Sequence, residues 1–287
     1  MSTHEIAVSG RIRLARNYHD LTFSDQKNAA TCLQRAYDAM HTKTEQLYTL
    51  HVLSNMTKDE RLSLMEEHLI SADLLKNAMI GAALIRTDRK VSIMINEEDH
   101  LRIQAIESGS NLEKAAEEAF EAEEILEQIC RFSFDPQFGY LTSCPTNTGT
   151  GMRASLMLHL PMLTKYKQMG NVSQNIGKLG LTIRGIYGEG SEALGDLYQV
   201  SNQVSLGRSE NDIIQAVTAV GKQLTDMESG LRERCIKRQQ TELKDTIMRS
   251  YGLMKYAITM DEKEFMQHWS NLRLGISLSL LPVPLSV

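Results

Sequence analysis

The stretch Val91–Arg102, VSIMINEEDHLR, changes character halfway along. Val91, Ile93 and Ile95 alternate with Ser92, Met94 and Asn96, which is the period of a half-buried strand. Three acids then precede His100, Leu101 and Arg102. A strand that ends in consecutive carboxylates gains no packing from Glu97, Glu98 and Asp99. Either they form a solvated turn or they hold something cationic.

Working outward, Ala82 to Asn96 reads as a hairpin, and the pattern before it is helical over Gln26–Thr42 and Lys58–Leu69. Thr57 and Glu60 stand at capping-box spacing ahead of the second helix. Ser110 with Glu113 predicts another capped helix running to about Phe132. Strand-like segments follow at Phe138–Ser143, Arg153–Leu160, Leu181–Tyr187 and Leu197–Val204. After Ser209, with Asp212 three residues on, helix is expected to about Arg249, and a shorter one from Asp261 to Arg273. Strands gather in the middle with helices on either side, so the fold class is α+β rather than alternating βαβ.

The 287 residues are 42% hydrophobic and 23% charged, with a net charge of −5, which suits a globular protein with a substantial core. That balance argues against a general nucleic-acid or anionic-membrane binder, so any anion site must be local. There is no apolar run of membrane-spanning length and no signal-like N-terminus, so a cytoplasmic home is expected. Cys32, Cys130, Cys144 and Cys235 lack CxxC pairing, which suits reduced thiols better than disulfides or a zinc site.

Besides the acid turn, three polar segments stand out, each open to a plain reading. In Ser9–Arg16, SGRIRLAR, Arg11 and Arg13 share one face of an extended chain. Converging guanidinium forks suit phosphate, although a basic strand can equally be surface decoration. Cys144–Ser155, CPTNTGTGMRAS, carries Gly149 and Gly151, which permit close backbone approach to a ligand, but it is neither a Walker A nor a GxGxxG sequence. Arg184–Gly190, RGIYGEG, sets Arg184 near Glu189 around a glycine turn that could be no more than a hairpin tip.

Taken together, Arg11, Arg13, Arg102, Arg153 and Arg184 face the carboxylates Glu98 and Glu189, and here the chain resembles the ATP:guanidino phosphotransferases, the phosphagen kinase family. The resemblance runs through SGRIRLARN, NEEDHLRIQ, GYLTSCPTNTGTGMRASLMLHLP and IRGIYGEGSEALGDLYQVSNQVSLG. Within the family it is nearest to the bacterial protein arginine kinase branch. It implies a glutamine synthetase-like domain with a large antiparallel sheet flanked by helices, using ATP and Mg²⁺ to phosphorylate a guanidinium nitrogen. Carried over by position, the nucleotide contacts would be Ser9, Gly10, Arg11, Ile12, Arg13, His68, Arg102, Arg153, Ala154, Ser155, Leu156, Met157, Arg184, Gly185, Ile186, Tyr187 and Gly188. Glu98 would be the general base and Glu189 the partner that orients the guanidinium. Cys144 would tune that group without forming a covalent intermediate. Glu97 and Asp99 would support the turn or magnesium-bound water, and no protein metal site is expected.

The resemblance also sets expectations about the ends and partners. Only eight residues precede Ser9, without the helical domain that closes small-molecule enzymes, so a guanidinium on a protein surface is the expected acceptor. Tyr187, where the small-molecule enzymes tend to have arginine, agrees. Gly10 stands where the family usually has Ser or Thr, which removes one hydroxyl. The catalytic domain is expected over residues 1–274, with 275–287 the start of a truncated C-terminal segment that lacks the phosphoarginine-binding RDxxRA motif. By resemblance, partners would be protein substrates with accessible arginines, a zinc-binding activator, a heat-shock repressor and a Clp unfoldase, with a homodimer possible. A free-arginine kinase and a non-catalytic adaptor of the Clp machinery are the alternatives.

Overall fold

The structure is a computed structural model that describes residues 6–21, 26–44, 47–185 and 193–281. In chain order it runs β1 (Ala7–Arg16), α1 (Gln26–Thr44), β2 (Tyr48–Val52), α2 (Lys58–Glu66) and α3 (Ala72–Lys76). Next come β3 (Ala82–Arg86), β4 (Val91–Ile95), β5 (Leu101–Ser108), α4 (Leu112–Glu127), β6 (Phe134–Asp135) and β7 (Gly139–Tyr140). The remainder is β8 (Met152–His159), α5 (Pro161–Lys165), α6 (Met169–Gly177), β9 (Leu181–Gly185), β10 (Leu197–Asn202), α7 (Glu210–Tyr256) and α8 (Glu262–Ser277).

Eight strands form one sheet in the order β2-β3-β4-β5-β1-β8-β10-β9, and every pairing is antiparallel. The α+β expectation and the large antiparallel sheet both hold. β1 lies between β5 and β8, so the N-terminal strand is central. One face of these strands, with Ile12, Leu14, Ile103, Ala105, Ala154 and Leu156, is buried in the main core with apolar residues of α1, α4 and α7. A smaller core under α2 and α3 covers the other face of β3 and β4 through Leu64, Leu74, Ala83, Ile85 and Met94. The opposite face of β5, β1 and β8 therefore carries the polar members of each alternation.

Local chemistry explains most boundaries. The Thr57–Glu60 and Ser209–Asp212 capping boxes form as expected. α2 ends short of Leu69 because His68 turns left-handed, at φ 61°. The expected Ser110–Glu113 box does not form. α4 starts after Asn111, and its first turn packs so tightly on Gly10 that a Cβ there would lie 3.2 Å from the Leu112 nitrogen. The strand expected at Phe138–Ser143 shrinks to Gly139–Tyr140 paired with Phe134–Asp135. β5, to which the sequence reading assigns no strand, pairs along its whole length with β1. α7 passes Arg249 to reach Tyr256 and breaks helical geometry at Gln239, with φ −135° and ψ 35°.

Arg16 ends β1 as a structural clip. It is buried, pairs through Nε with the Glu123 carboxylate of α4, and donates from Nη1 to the carbonyls of Ala15 (2.8 Å) and Thr150 (3.0 Å). Its guanidinium also lies 3.5 Å over the Tyr140 ring. Arg16→Met removes one partner and strands Glu123 in the interior, so chemical denaturation should show a loss of about 3–5 kcal/mol. A loss below about 1 kcal/mol would show the clip to be dispensable.

Candidate active site

Strand register builds the site. Arg13 on β1 stands opposite Arg153 on β8 and opposite Gln104 on β5, while Arg102 stands opposite Ala15. Arg11 faces Ser155 across the same ladder, and Arg184 on β9 faces Gln199 on β10, whose amide donates to the Ser155 hydroxyl at 3.0 Å. Side chains two apart on a strand share a face, so Arg11, Arg13, Arg102, Arg153 and Arg184 all project from the face opposite the main core.

Crowding follows directly. Burial pulls the Arg13 guanidinium well below its ordinary pKa, and Arg11, Arg102 and Arg153 lower it further, against an opposing pull from Glu97. Burial, then Arg184 and Arg102, lower Arg153 in the same way, and burial lowers Arg11. Arginine stays protonated in proteins, so the direction of these shifts reflects first the cost of burying the charge and, at Arg13 and Arg153, then the nearness of like charges. A polyanion relieves both. The Nε groups of Arg13 and Arg153 are buried with no hydrogen-bond partner among the described residues. Arg153 uses Nη2 to donate to Ser201, at 3.0 Å.

The acid turn divides its three carboxylates. Glu97 is buried and accepts from Arg102 Nη1, from the Ser71 hydroxyl at 2.5 Å and from the Glu98 amide at 2.9 Å. Asp99, also buried, accepts from the Asn17 amide and from the Ser143 N–H. Glu98 alone is exposed, 3.3 Å from Arg102 Nη2. Partial burial raises its pKa; Arg102 opposes this, and Asp99, Glu97 and Asp73 add to it. Asn96 adopts φ 59° at the head of the turn, its side chain donating to the carbonyls of Ala29 and Ile80. His100 Nδ1 accepts the Tyr18 N–H at 3.1 Å.

A cleft of about 130 Å³ brings Glu98 and Cys144 together with Arg13, Arg102 and Arg153. Thr146 and Asn147 also line it, and the sequence reading did not single them out. Their position inside CPTNTGTG, one turn after Cys144, was the available signal. The Cys144 thiol lies 3.0 Å from the Thr146 hydroxyl. His68 is placed on the arginine face by its carbonyl, which accepts from Gln104 at 2.7 Å, and burial and Arg11 lower its imidazole pKa.

Other expected contacts sit differently. Gly10 is buried against the start of α4, and Ile12, Ala154 and Leu156 are buried on the core side, where their side chains support the arginine rows from behind. A hydroxyl in place of Gly10 would meet the start of α4 rather than the arginine face. Ser9, Ser155 and Met157 share the arginines' face by alternation. Gly149 and Gly151, at φ 117° and 63°, are held by protein packing, since a Cβ would lie 2.7 Å from the Leu206 Cα or 2.4 Å from Arg16 Nη1, and Gly151 also lines the cleft. Gly185 ends β9. Ile186, Tyr187, Gly188 and Glu189 lie outside the described residues.

The arginine face fits a nucleotide triphosphate, with the buried Nε groups of Arg13 and Arg153 unpaired among the described residues and several guanidinium groups close together. No group of three or more His, Cys, Asp or Glu side chains among the described residues could hold a metal ion.

Comparison with known proteins agrees with this geometry. Residues 30–231 match the ATP:guanido phosphotransferase C-terminal catalytic domain, and residues 240–285 match the protein-arginine kinase McsB C-terminal domain. The second match begins directly after the α7 break at Gln239. The protein-arginine kinase of Caldanaerobacter subterraneus subsp. tengcongensis is 42% identical over 98% of this chain and 85% of its own length. That of Shouchella clausii is 42% identical over 98% of this chain and 80% of its own length. Among solved structures, lombricine kinase superposes with a TM-score of 0.69 at 26% identity, over 80% of this chain and 68% of that one. A duplicated taurocyamine kinase from Schistosoma mansoni, at 23% identity, shares the fold with a TM-score of 0.71, over 90% of this chain and 40% of that one.

Tripolyphosphate should stabilise the folded protein, by about 2.7 kcal/mol at a concentration a hundred times its Kd. Thermal melts of Arg13→Ala and Arg153→Ala should show most of that increment lost. An undiminished increment in both variants would place the anion elsewhere.

Proposed function

We propose, for a chain that belongs to the ATP:guanido phosphotransferase family and to its protein-arginine kinase branch, that it transfers the γ-phosphoryl group of ATP to arginine side chains of protein substrates. The observation that carries this reading is the shared cleft. Three arginines of the crowded face and the one exposed carboxylate of the acid turn line the same small volume as Cys144.

The chemistry divides accordingly. Arg13, Arg102 and Arg153, with Arg11 and Arg184 beside them, hold the triphosphate and neutralise charge that gathers on the transferring group and on the departing ADP. Magnesium, when bound with the nucleotide held on these arginines, would supply further neutralisation of phosphate charge. On the acceptor side a guanidinium is protonated and a weak nucleophile. Glu98 accepts a charge-assisted hydrogen bond from it and takes one N–H proton as that nitrogen forms its bond to phosphorus, while the bond from phosphorus to the ADP oxygen breaks. Glu189 is the proposed second carboxylate of the acceptor site. Cys144, on the cleft wall, contacts the guanidinium without bonding to it.

Protein substrates follow from the names of the relatives. The wider setting we propose is phosphoarginine marking for Clp-type degradation under stress, in the cytoplasm, with an activator protein and a homodimeric assembly. Among the described residues no helix is long and apolar enough to cross a membrane.

Offered Mg-ATP with free arginine or with an unfolded arginine-rich protein, the chain should release ADP in step with phosphorylation of the protein. Transfer confined to free arginine would mark a small-molecule kinase, and nucleotide binding without transfer an adaptor. Glu98→Ala should lower kcat by at least about a hundredfold with ATP affinity little changed. The base must be ionised, and its pKa is raised, so kcat/KM should fall as pH drops through a value above the ordinary glutamate range. An acid limb at or below that range would remove Glu98 from the role.

A further inference from the structure

Asp99 belongs to the acid turn yet is only 1% exposed. One of its oxygens makes all its contacts. Oδ1 accepts the Ser143 N–H at 2.6 Å and the Asn17 Nδ2–H at 2.7 Å, while Oδ2 is buried with no hydrogen-bond partner among the described residues. Asn17 completes the connection by accepting the His100 N–H at 2.9 Å and donating to the Leu141 carbonyl at 3.2 Å. Three separate segments meet here: the residue after β1, the turn between β4 and β5, and the loop between β7 and β8.

The contacts fall one peptide from the chemistry on both sides. Asp99 follows Glu98, and Ser143 precedes Cys144, so the hydrogen bond between them joins the two walls of the cleft. The loop is also held internally, because the Thr142 hydroxyl donates to the Cys144 carbonyl at 2.8 Å and the Cys144 thiol meets Thr146 at 3.0 Å. It can therefore shift as a unit. A buried carboxylate that accepts short, charge-assisted bonds is a stiff anchor for such a loop.

We infer that Asp99 is a positioning residue which, with Asn17, fixes the Cys144 loop against the acid turn and so sets the slot between the Cys144 thiol and the Glu98 carboxylate. This rests on reading that slot as the entry for the acceptor guanidinium. A planar group held on two sides is sensitive to slot width, since a displacement of roughly 1 Å can cost about a hundredfold in rate. Asp99 also lies among the charges that raise the pKa of Glu98, so position and charge have to be separated by experiment.

The full chain with Asp99→Ala, Asp99→Asn or Asn17→Ala is assayed for kcat, for KM of an arginine-bearing protein and of ATP, and for alkylation of Cys144 by iodoacetamide. Cys32, Cys130 and Cys235 are buried, so alkylation of the native protein reports Cys144. Asp99→Ala should raise the acceptor KM by about tenfold and speed alkylation several-fold, with the ATP KM within about twofold. Asn17→Ala should act in the same direction, and it carries the test if Asp99→Ala does not fold. Asp99→Asn should recover most of both effects, because its amide oxygen still accepts both N–H groups. Unchanged alkylation in both alanine variants would overturn the proposal. So would an asparagine variant as impaired as the alanine one, which would assign Asp99's effect to its charge. Alkylation needs no phosphotransfer, so failure of the unmutated protein to phosphorylate arginine would refute the functional reading by a separate result.

Discussion

Mutual repulsion among guanidinium groups on one face of a sheet is the constraint on which the rest of this structure depends. Arg13 is buried beside Arg11, Arg102 and Arg153, and Arg153 is in turn beside Arg184. Such an array persists only on a rigid platform, and the platform is the antiparallel ladder of β5, β1 and β8. Its far face is sealed by core residues such as Ile12, Leu14 and Ala154, and by a helix whose first turn packs closely on Gly10. The Arg16–Glu123 pair fixes the end of β1. Folding energy from one face thus holds an electrostatically costly arrangement on the other, ready for an anion that needs no further reorganisation.

The acid turn answers this charge selectively. Glu97 neutralises part of it from within, through Arg102, and Asp99 turns away to hold the neighbouring loop. Only Glu98 remains open to the cleft. The consecutive carboxylates therefore serve three purposes, separated by which side of the turn each faces. In the proposed function, nucleotide and acceptor sites would meet at Arg102, whose two terminal nitrogens reach Glu97 and Glu98.

The sequence disclosed this architecture unevenly. Alternation around Val91–Ile95 and the capping boxes at Thr57 and Ser209 are local signals, and the corresponding elements form. The common face of Arg11 and Arg13 was legible from the period of two. That Arg102, Arg153 and Arg184 join them was not, because register between distant strands depends on the whole sheet, and it entered only through family resemblance. The roles of Gly149, Gly151 and Asp99 were likewise hidden. Each is decided by what the fold packs against it: the 205–206 backbone, the Arg16 side chain, and the Ser143 amide. The same holds for Ser110, a capping residue by spacing that loses its place to the packing of α4 on Gly10.

The central claim is that the arginine face and the acid turn deliver a phosphoryl group to a guanidinium nitrogen. Following the label from γ-labelled ATP into an arginine-bearing protein, with products kept at neutral pH and read by mass spectrometry, tests it most directly. The account predicts label on arginine side chains, lost on acidification and absent from serine, threonine, tyrosine and Cys144. Label found only in inorganic phosphate, or on hydroxyl or thiol groups, would contradict it.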